Sequence, residues 1–285
     1  METNTNRSLQ KKIEELNDRV ERSTLELEQL SSKLLDAESQ RSNFLSHILN
    51  EINNPLTSIL GLTKSIVDSA YKDPELVRKQ ANLAYEEAFE LDYKMRNVFA
   101  AAKIEAGSVM VRAGNVNVEN IIDSILQDLH FKYSRKHLKV EKSVEGASEA
   151  SFHTDGSLLH AILLNLIGNA VEFSPPKQVL KVDLQLSSAR MLFAITDEGP
   201  GLNEADRQTI FGRFKQLEEG TTKAHPGTGL GLSIIREYTD MLGGELSIKS
   251  RKEEGSTFIL VLPAISIGTE LENPEEVSFG EEEIF

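Results

Sequence analysis

With 285 residues and a formal net charge of −14 at pH 7, the chain lacks the overall basic balance of a nucleic-acid binder, which needs a basic face to displace phosphate counterions. It has no cysteine, which excludes disulfides, thiolate metal sites and thiol nucleophiles. Because it shows no apolar signal core and no 18-residue apolar run, we expect a cytoplasmic chain without a membrane span and with about two domains.

A heptad repeat of apolar residues runs from Leu9 to Ile48. Ten of its twelve seam positions are apolar, Ser23 and Arg41 being the exceptions, and no Gly or Pro interrupts the pattern. A repeat of 3.5 residues sustained in this way predicts a coiled coil, most simply a parallel dimer. A single amphipathic helix packed on its own chain is the alternative. We assign residues 1–43 to a coiled-coil signalling helix.

Two helices joined by a short turn are predicted for residues 44–107. Helical apolar spacing continues across Pro55, where a bend is expected. Asp73 as N-cap and Pro74 in the first turn begin the second helix, and Gly107 ends it. Doubled by the coiled coil, this hairpin would form a dimeric antiparallel four-helix bundle.

Strands and helices then alternate over residues 115–263. The predicted strands are Val116–Val118, Leu138–Val144, Leu180–Leu186, Met191–Thr196, Glu245–Ser250 and Thr257–Leu262. The predicted helices are Glu119–Lys132, Leu158–Phe173 with Asp155 as its cap, and Gly229–Met241. This alternation predicts an α/β sandwich with helices on one face of a sheet. Residues 264–285 include seven Glu without Lys, Arg or Asp, so we expect a disordered acidic tail.

Two polar motifs lie in the α/β domain. Asn165 and Asn169 are at i and i+4 on one helix face, and paired amide oxygens suit Mg²⁺. Asp197, Gly199 and Gly201 follow a predicted strand in a D-x-G-x-G spacing. The carboxylate can accept a hydrogen bond from an exocyclic amine, and the glycines let a ligand approach the backbone. Each motif alone has a structural explanation as well. Asparagines commonly cap and pack helices, and the D-x-G-x-G segment could be an ordinary turn.

A third motif, Gly227-Thr228-Gly229-Leu230-Gly231, leads directly into a predicted helix. A glycine-rich turn that feeds a helix N-terminus can bind phosphate through free backbone N–H groups and the positive helix end. The motif lacks the GK[ST] of a P-loop and does not follow the first strand, as a dinucleotide fingerprint would.

In this order the three motifs resemble the N, G1 and G2 boxes of the GHKL, or Bergerat, ATP-binding fold. That family includes histidine kinases, type II topoisomerases, heat-shock ATPases and mismatch-repair proteins. Phe211 and Phe214 lie between the two glycine motifs, like the F box of histidine kinases, and Gly255 to Pro263 resembles their closing strand. The resemblance covers residues 115–263, which it identifies as an ATP-binding catalytic domain.

The resemblance implies the cofactors ATP and Mg²⁺ and a role for each motif. Asn169, helped by Asn165, would hold Mg²⁺, and Asp197 would bind the adenine amine. Leu202–Pro226 would form a lid. The remaining nucleotide-binding residues implied are Gly199, Gly201, Lys215, Gly227, Thr228, Gly229, Leu230, Gly231 and Thr257.

Two positions bear on what this site does with ATP. Glu172 stands three residues after Asn169, where such kinases usually carry Lys or Arg, and a carboxylate there would repel phosphate. Compensation could come from Lys177, Arg213 and Lys215. Asn165 occupies the position of the Glu general base in the hydrolysing branches, and an amide cannot take a proton from water. The pocket is therefore expected to hold ATP for transfer rather than for hydrolysis.

Residues 44–56 resemble the H box of the histidine-kinase phosphotransfer domain, with Asn50 at the phosphoacceptor position, which implies that residues 44–107 are a dimerisation and histidine phosphotransfer hairpin. An amide nitrogen is not nucleophilic, unlike a neutral imidazole, so we expect no phosphorylation at residue 50. His47 lies a turn away, where in-line phosphoryl transfer is disfavoured. Glu51 and Asn54 match the family pair that aligns water to dephosphorylate a response regulator.

The sequence thus resembles the cytoplasmic catalytic portion of a sensor histidine kinase. The resemblance implies a homodimer, an upstream sensor domain or protein, and a response-regulator receiver domain as partner. Autophosphorylation is expected to be lost in this chain, whereas ATP binding would remain and phosphatase activity could. A natural nucleotide-binding pseudokinase is the alternative, and a GHKL ATPase is less favoured. Asn50 could be natural or an engineered replacement, and the otherwise complete H box favours replacement.

Overall fold

The computed structural model describes residues 19–20, 22–25, 27, 29–32, 46, 48–68, 73–146, 151–212 and 229–265. The chain divides into two compact units, one of residues 1–108 with 212–231 and the other of residues 109–211 with 232–285. Most of the predicted coiled coil, most of the predicted lid and residues 266–285 of the acidic tail lie outside the described residues.

The helices of the first unit are α1, residues 48–68, and α2, Pro74–Glu105. The predicted cap of α2 is confirmed, because Asp73 Oδ1 accepts two backbone N–H hydrogen bonds of the first turn at 3.0 Å. The predicted end is confirmed as well, since Gly107 follows the last turn with a φ of 60°. Cap chemistry therefore sets both ends of this helix.

Two side-chain contacts fix the register of α1 against α2. The Lys94 Nζ donates to Glu51 Oε2 at 2.5 Å, and the Gln80 Nε2 donates to Ser65 Oγ at 2.7 Å. The two contacts lie two heptads apart along both helices and in opposite chain directions. The helices are therefore an antiparallel hairpin, as the sequence predicts.

Part of the predicted coiled-coil segment is described. Residues 19–20, 22–25, 27 and 29–32 are helical. The seam side chains Val20, Leu27 and Leu30 are all more than half exposed in the single chain. These described residues are therefore helical, and the three seam side chains among them are uncovered.

The described residues after 109 form an α/β domain of seven strands and five helices. Its elements, in chain order, are β1 Gly114–Val116, α3 Val118–Asp128, α4 His130–Arg135, β2 Lys139–Gly146, β3 Phe152–Thr154, α5 Gly156–Phe173, β4 Val179–Leu186, β5 Arg190–Asp197, α6 Glu204–Thr209, α7 Gly231–Met241, β6 Glu245–Ser250 and β7 Ser256–Pro263. Five strands form one sheet in the order β2-β4-β5-β7-β6, in which only β2 and β4 run parallel. β1 and β3 form a separate antiparallel pair.

The core of this domain lies between α5 and one face of the sheet. Asp155 caps α5 as predicted, its Oδ1 accepting the Ser157 and Leu158 N–H groups. Every second residue of β5 is buried, so this strand presents one apolar face. The fully buried side chains include Leu159, Ile162, Leu163, Leu166 and Ile167 of α5 and Val182, Phe193 and Leu260 of the sheet. The predicted two-layer α/β arrangement is confirmed.

Helix α5 is apolar and long enough, by length and composition, to cross a membrane. Most of it is buried inside the domain, beneath the sheet. Among the described helices it is the only one that is both long and apolar enough to do so, and its burial is typical of the core helix of a domain.

Two predicted elements differ from the observed ones in their bounds. The strand predicted at Val116–Val118 is the end of β1 followed by Asn117, whose side chain caps α3 by accepting the Asn120 N–H at 2.9 Å. The helix predicted at Glu119–Lys132 is interrupted at Leu129, which separates α3 from α4. Strand β3 and helix α6 were not predicted, because three and six residues are too few to show a period.

Candidate functional site

Asp197 is the last residue of β5, and its side chain is buried, with 5% of the residue exposed. Desolvation raises the pKa of this carboxyl from 3.8 to about 6, against the opposing effect of the Gly199 and Ser256 backbone N–H groups. The Gly199 N–H donates to Oδ1 at 2.8 Å. A carboxylate has about four acceptor positions, so this one can still accept a hydrogen bond from a ligand amine.

The turn after β5 packs so closely that only glycine fits at two positions. A Cβ on Gly199 would lie 2.7 Å from Asp197 Oδ1 and 2.9 Å from the Phe173 carbonyl oxygen. Gly201 has a φ of 63°, and a Cβ there would lie 1.8 Å from the Arg251 carbonyl oxygen. The D-x-G-x-G spacing therefore lets the turn meet the end of α5 and the loop between β6 and β7.

Ser250, at the end of β6, ties this turn to the loop that precedes β7. Its Oγ accepts the Leu202 N–H at 2.8 Å and donates to the Gly255 carbonyl at 2.8 Å. The Ser256 Oγ lies 2.9 Å from the Ser250 Oγ. The Ser250 hydroxyl thus uses its donor and its acceptor positions. Sequence reasoning missed this residue, whose only signal is a serine at a strand end.

Thr257 lies beside the buried carboxylate on the neighbouring strand. β5 and β7 pair Asp197 with Ser256 and Thr196 with Thr257. The two threonine Oγ1 atoms are 3.0 Å apart. The structure therefore brings together four of the predicted site residues, which are Asp197, Gly199, Gly201 and Thr257.

Asn165 and Asn169 lie one turn apart on α5 in different surroundings. Asn165 is 1% exposed, and its Nδ2 donates to the Ala161 carbonyl at 2.8 Å. Asn169 is half-buried. Of the two amides, that of Asn169 is the one a solvent-borne cation can reach, whereas Asn165 is held in the core.

The described part of the third motif leads into α7. Gly229 has a φ of 66°, Leu230 is fully buried, and α7 begins at Gly231. The first turn of this helix carries backbone N–H groups and the positive end of the helix dipole. The predicted residues Arg213, Lys215, Gly227 and Thr228 lie outside the described residues.

Glu172, in the last turn of α5, has a cation nearby that the sequence did not indicate. Lys136 Nζ donates to the carbonyl oxygens of Val171 at 3.0 Å and Ser174 at 3.2 Å, and also to that of Glu172. Burial lowers the pKa of Lys136, and the Glu172 charge opposes this effect. Lys136 therefore caps α5 and offsets part of the negative charge that Glu172 brings. Lys177 is exposed.

The residues predicted on α1 do not share one environment. Asn50 and Asn54, one turn apart, are exposed. The Glu51 side chain is 7% exposed and paired with Lys94. His47 lies outside the described residues. The structure separates the two exposed amides from the buried acid.

Residues 154–266 match the family described as histidine kinase-, DNA gyrase B-, and HSP90-like ATPase. The hybrid signal transduction histidine kinase D of Dictyostelium discoideum is 28% identical over 250 residues, 86% of this chain and 16% of that protein. The autoinducer 2 sensor kinase/phosphatase LuxQ of Vibrio vulnificus is 29% identical over 229 residues, 78% of this chain and 26% of that protein. The chain spans about a quarter or less of these curated relatives.

A solved structure with a similar fold is that of the Acinetobacter baumannii histidine kinase AdeS. It covers 76% of this chain and 98% of its own, with a TM-score of 0.52 and 19% sequence identity. This likeness shows the fold alone, a helical region followed by an α/β domain.

Proposed function

Residues 154–266 belong to the histidine kinase-, DNA gyrase B- and HSP90-like ATPase family, and the chain is related to sensor histidine kinases; on this premise we propose that it is the ATP-binding and phosphotransfer portion of a two-component sensor kinase. The observation that carries the proposal is the buried Asp197 carboxylate beside two glycines that admit no Cβ. In the parent reaction, a histidine takes the γ-phosphoryl group of ATP and passes it to a response-regulator Asp. The signal would come from an upstream sensor domain or protein.

ATP fits the donors and acceptors of this site. Asp197 would accept the adenine amine, with Thr257 nearby and the glycines of the turn allowing close approach. Asn169, the half-buried amide, would hold Mg²⁺, which supplies charge neutralisation at the phosphates when bound. The triphosphate would lie along the third motif and the α7 N-terminus. Its predicted contacts are Lys215, Gly227, Thr228, Gly229, Leu230 and Gly231.

Asn50 decides what this chain can do with bound ATP. Its position is exposed on α1, as a phosphoacceptor position must be. An amide nitrogen has a delocalised lone pair and does not attack phosphorus, whereas imidazole does. We therefore expect ATP binding without autophosphorylation, and phosphotransfer once a histidine occupies residue 50.

Glu51 and Asn54 support a second activity that needs no histidine nucleophile, the dephosphorylation of a response-regulator receiver domain. The exposed Asn54 amide can orient a water molecule toward a partner docked on α1. The name of the Vibrio vulnificus relative, sensor kinase/phosphatase, supports this proposal.

An apolar row on α1 supports a homodimer. Leu49, Leu56, Leu60 and Val67 are spaced by seven, four and seven residues, and each is more than two-fifths exposed in the single chain. This heptad spacing suits a seam with a second copy of the hairpin. We propose that two hairpins pair along this row to form a four-helix bundle, and that residues 1–43 form a coiled coil in the same dimer.

The test is incubation of the chain and of an Asn50→His variant with γ-labelled ATP and Mg²⁺. Acid-labile, base-stable label on Asn50→His and none on the unaltered chain is the expected result. Asn53→His is the matched control, because Asn53 is an exposed neighbour on the same helix and should take no label. Label on none of the three would point to a pseudokinase, and steady release of free phosphate would point to an ATPase.

A further inference from the structure

Glu51 and Lys94 form an ion pair inside the helical hairpin. The distance from Lys94 Nζ to Glu51 Oε2 is 2.5 Å, and the two side chains are 19% and 7% exposed. By contrast, the pair of Arg96 and Asp92 on the same helix has side chains that are 66% and 58% exposed. Only the first of these two pairs joins α1 to α2, and it holds the acid next to the phosphoacceptor position.

A buried carboxylate depends on its counter-ion. Removing water from an ionised group is costly, and the cost is offset only by a close opposite charge and hydrogen bonds. Lys94 supplies both to Glu51. Without that charge, the flexible Glu51 side chain would gain free energy by turning toward water.

The buried position also separates Glu51 from the reacting face. Consecutive residues of a helix point about 100° apart, so the side chains of residues 50 and 51 do not face each other. Asn50 and Asn54 are exposed, whereas Glu51 lies inside. The acid must leave Lys94 before it can reach residue 50 or a partner docked there.

We propose that Lys94 is a positioning residue that holds the Glu51 carboxylate in the hairpin interior, so that the acid acts only when this pair opens. The inference rests on the proposed function above. In an Asn50→His chain, one imidazole nitrogen forms the N–P bond as the bond from the γ-phosphorus to its bridging oxygen breaks and ADP leaves. The released carboxylate accepts the N–H proton of the other ring nitrogen.

The kinetic test compares Lys94 variants in the Asn50→His chain, using γ-labelled ATP and Mg²⁺. Lys94→Met keeps the length of the side chain and removes the charge. The maximal rate of labelling should then rise about tenfold with an unchanged KM for ATP. A rise of this size is expected if the state with the Glu51–Lys94 pair open is populated at about a few per cent in the Lys94 chain. Lys94→Arg keeps the charge and should stay within about twofold of Lys94. Lys79→Met, an exposed lysine of the same helix, is the matched control and should change nothing.

A rate that falls or stays level in Lys94→Met, while Asn50→His alone takes label, overturns this inference and leaves the proposed function standing. Absence of label in every one of these chains overturns the proposed function itself.

A second measurement tests the pair without nucleotide. Lys94→Met should lower the thermal midpoint of the full chain by several degrees, and adding Glu51→Gln should recover most of that loss, because the double variant leaves no unpaired buried charge. Additive midpoint shifts would show that the two residues are not coupled and would overturn the inference.

Discussion

The hydroxyl oxygens of Thr196 and Thr257 lie 3.0 Å apart across β5 and β7, one residue from the paired Asp197 and Ser256. Both strands are inner strands of the five-stranded sheet. The candidate adenine contact is therefore built on adjacent inner strands rather than on a loop. A site held in this way keeps its polar groups in place before a ligand arrives.

Nucleotide affinity should fall as the pH is lowered from 7.5 to 5. The pKa of Asp197 is raised to about 6, so its carboxyl becomes largely protonated at pH 5 and loses acceptor capacity. We expect binding of a non-hydrolysable ATP analogue to weaken about tenfold, as measured by calorimetry. Asp197→Asn is the control and should bind weakly at both pH values, whereas an affinity that stays level in the unaltered chain would contradict the assignment.

Asp197→Asn should also stabilise the α/β domain at neutral pH. The folded pKa of about 6 lies above the ordinary value of 3.8, so the folded state holds the proton more tightly and stability falls as the pH rises through this window. Above pH 6 the penalty reaches about 3 kcal/mol, which the variant avoids. Urea unfolding should show a gain at pH 7.5 that shrinks toward pH 4. A gain independent of pH would rule out this cause.

Gly201→Ala should destabilise the domain by at least about 2 kcal/mol. The φ of 63° disfavours any Cβ, and the added atom would meet the Arg251 carbonyl oxygen at 1.8 Å. Gly114→Ala is the matched control, because no heavy atom among the described residues lies within 4 Å of a Cβ there. Thermal melts of both variants check this, and equal midpoints would refute the close approach.

Ser250→Ala should loosen the turn after β5. The substitution leaves the Leu202 N–H and the Gly255 carbonyl without their partner, at a cost of about 1–3 kcal/mol. Hydrogen exchange at the Leu202 amide should accelerate, and nucleotide affinity should fall. Ser247→Ala, at an exposed position of the same strand, should leave both unchanged. Unaltered exchange at Leu202 in Ser250→Ala would contradict the role given to Ser250.

Leu60→Glu should weaken the proposed dimer. Leu60 lies in the exposed apolar row of α1, and a carboxylate at a helix seam faces its own copy across the twofold axis. Light scattering should report about twice the 31.7 kDa of one chain for the unaltered protein and a lower mass for the variant. Ser58→Glu adds the same charge at an exposed position outside this row and should remain dimeric.

Features set by neighbours in the chain were predictable from the sequence. Asp73 and Asp155 cap their helices as expected, because a cap needs only the next two or three residues. The glycines of the turn after β5 were also visible as a spacing. The need for glycine at these positions comes from tertiary contacts, since Gly201 packs against the backbone of Arg251, fifty residues later in the chain.

Features set by distant contacts were not predictable. Lys94 meets Glu51 from 43 residues away, and Lys136 reaches the end of α5 from 35 to 38 residues away. No local period marks such residues, because each looks like a solvent-exposed lysine in the sequence. In the same way, the i and i+4 spacing of Asn165 and Asn169 predicted a shared face but not that Asn165 would be buried.

Calorimetric titration with a non-hydrolysable ATP analogue and Mg²⁺ tests the nucleotide site, on which the whole account depends. Saturable binding of one analogue per chain at pH 7.5, weakened by Asp197→Asn and little changed by Asn50→His, is the predicted result. Absence of any binding heat at millimolar analogue would contradict the account.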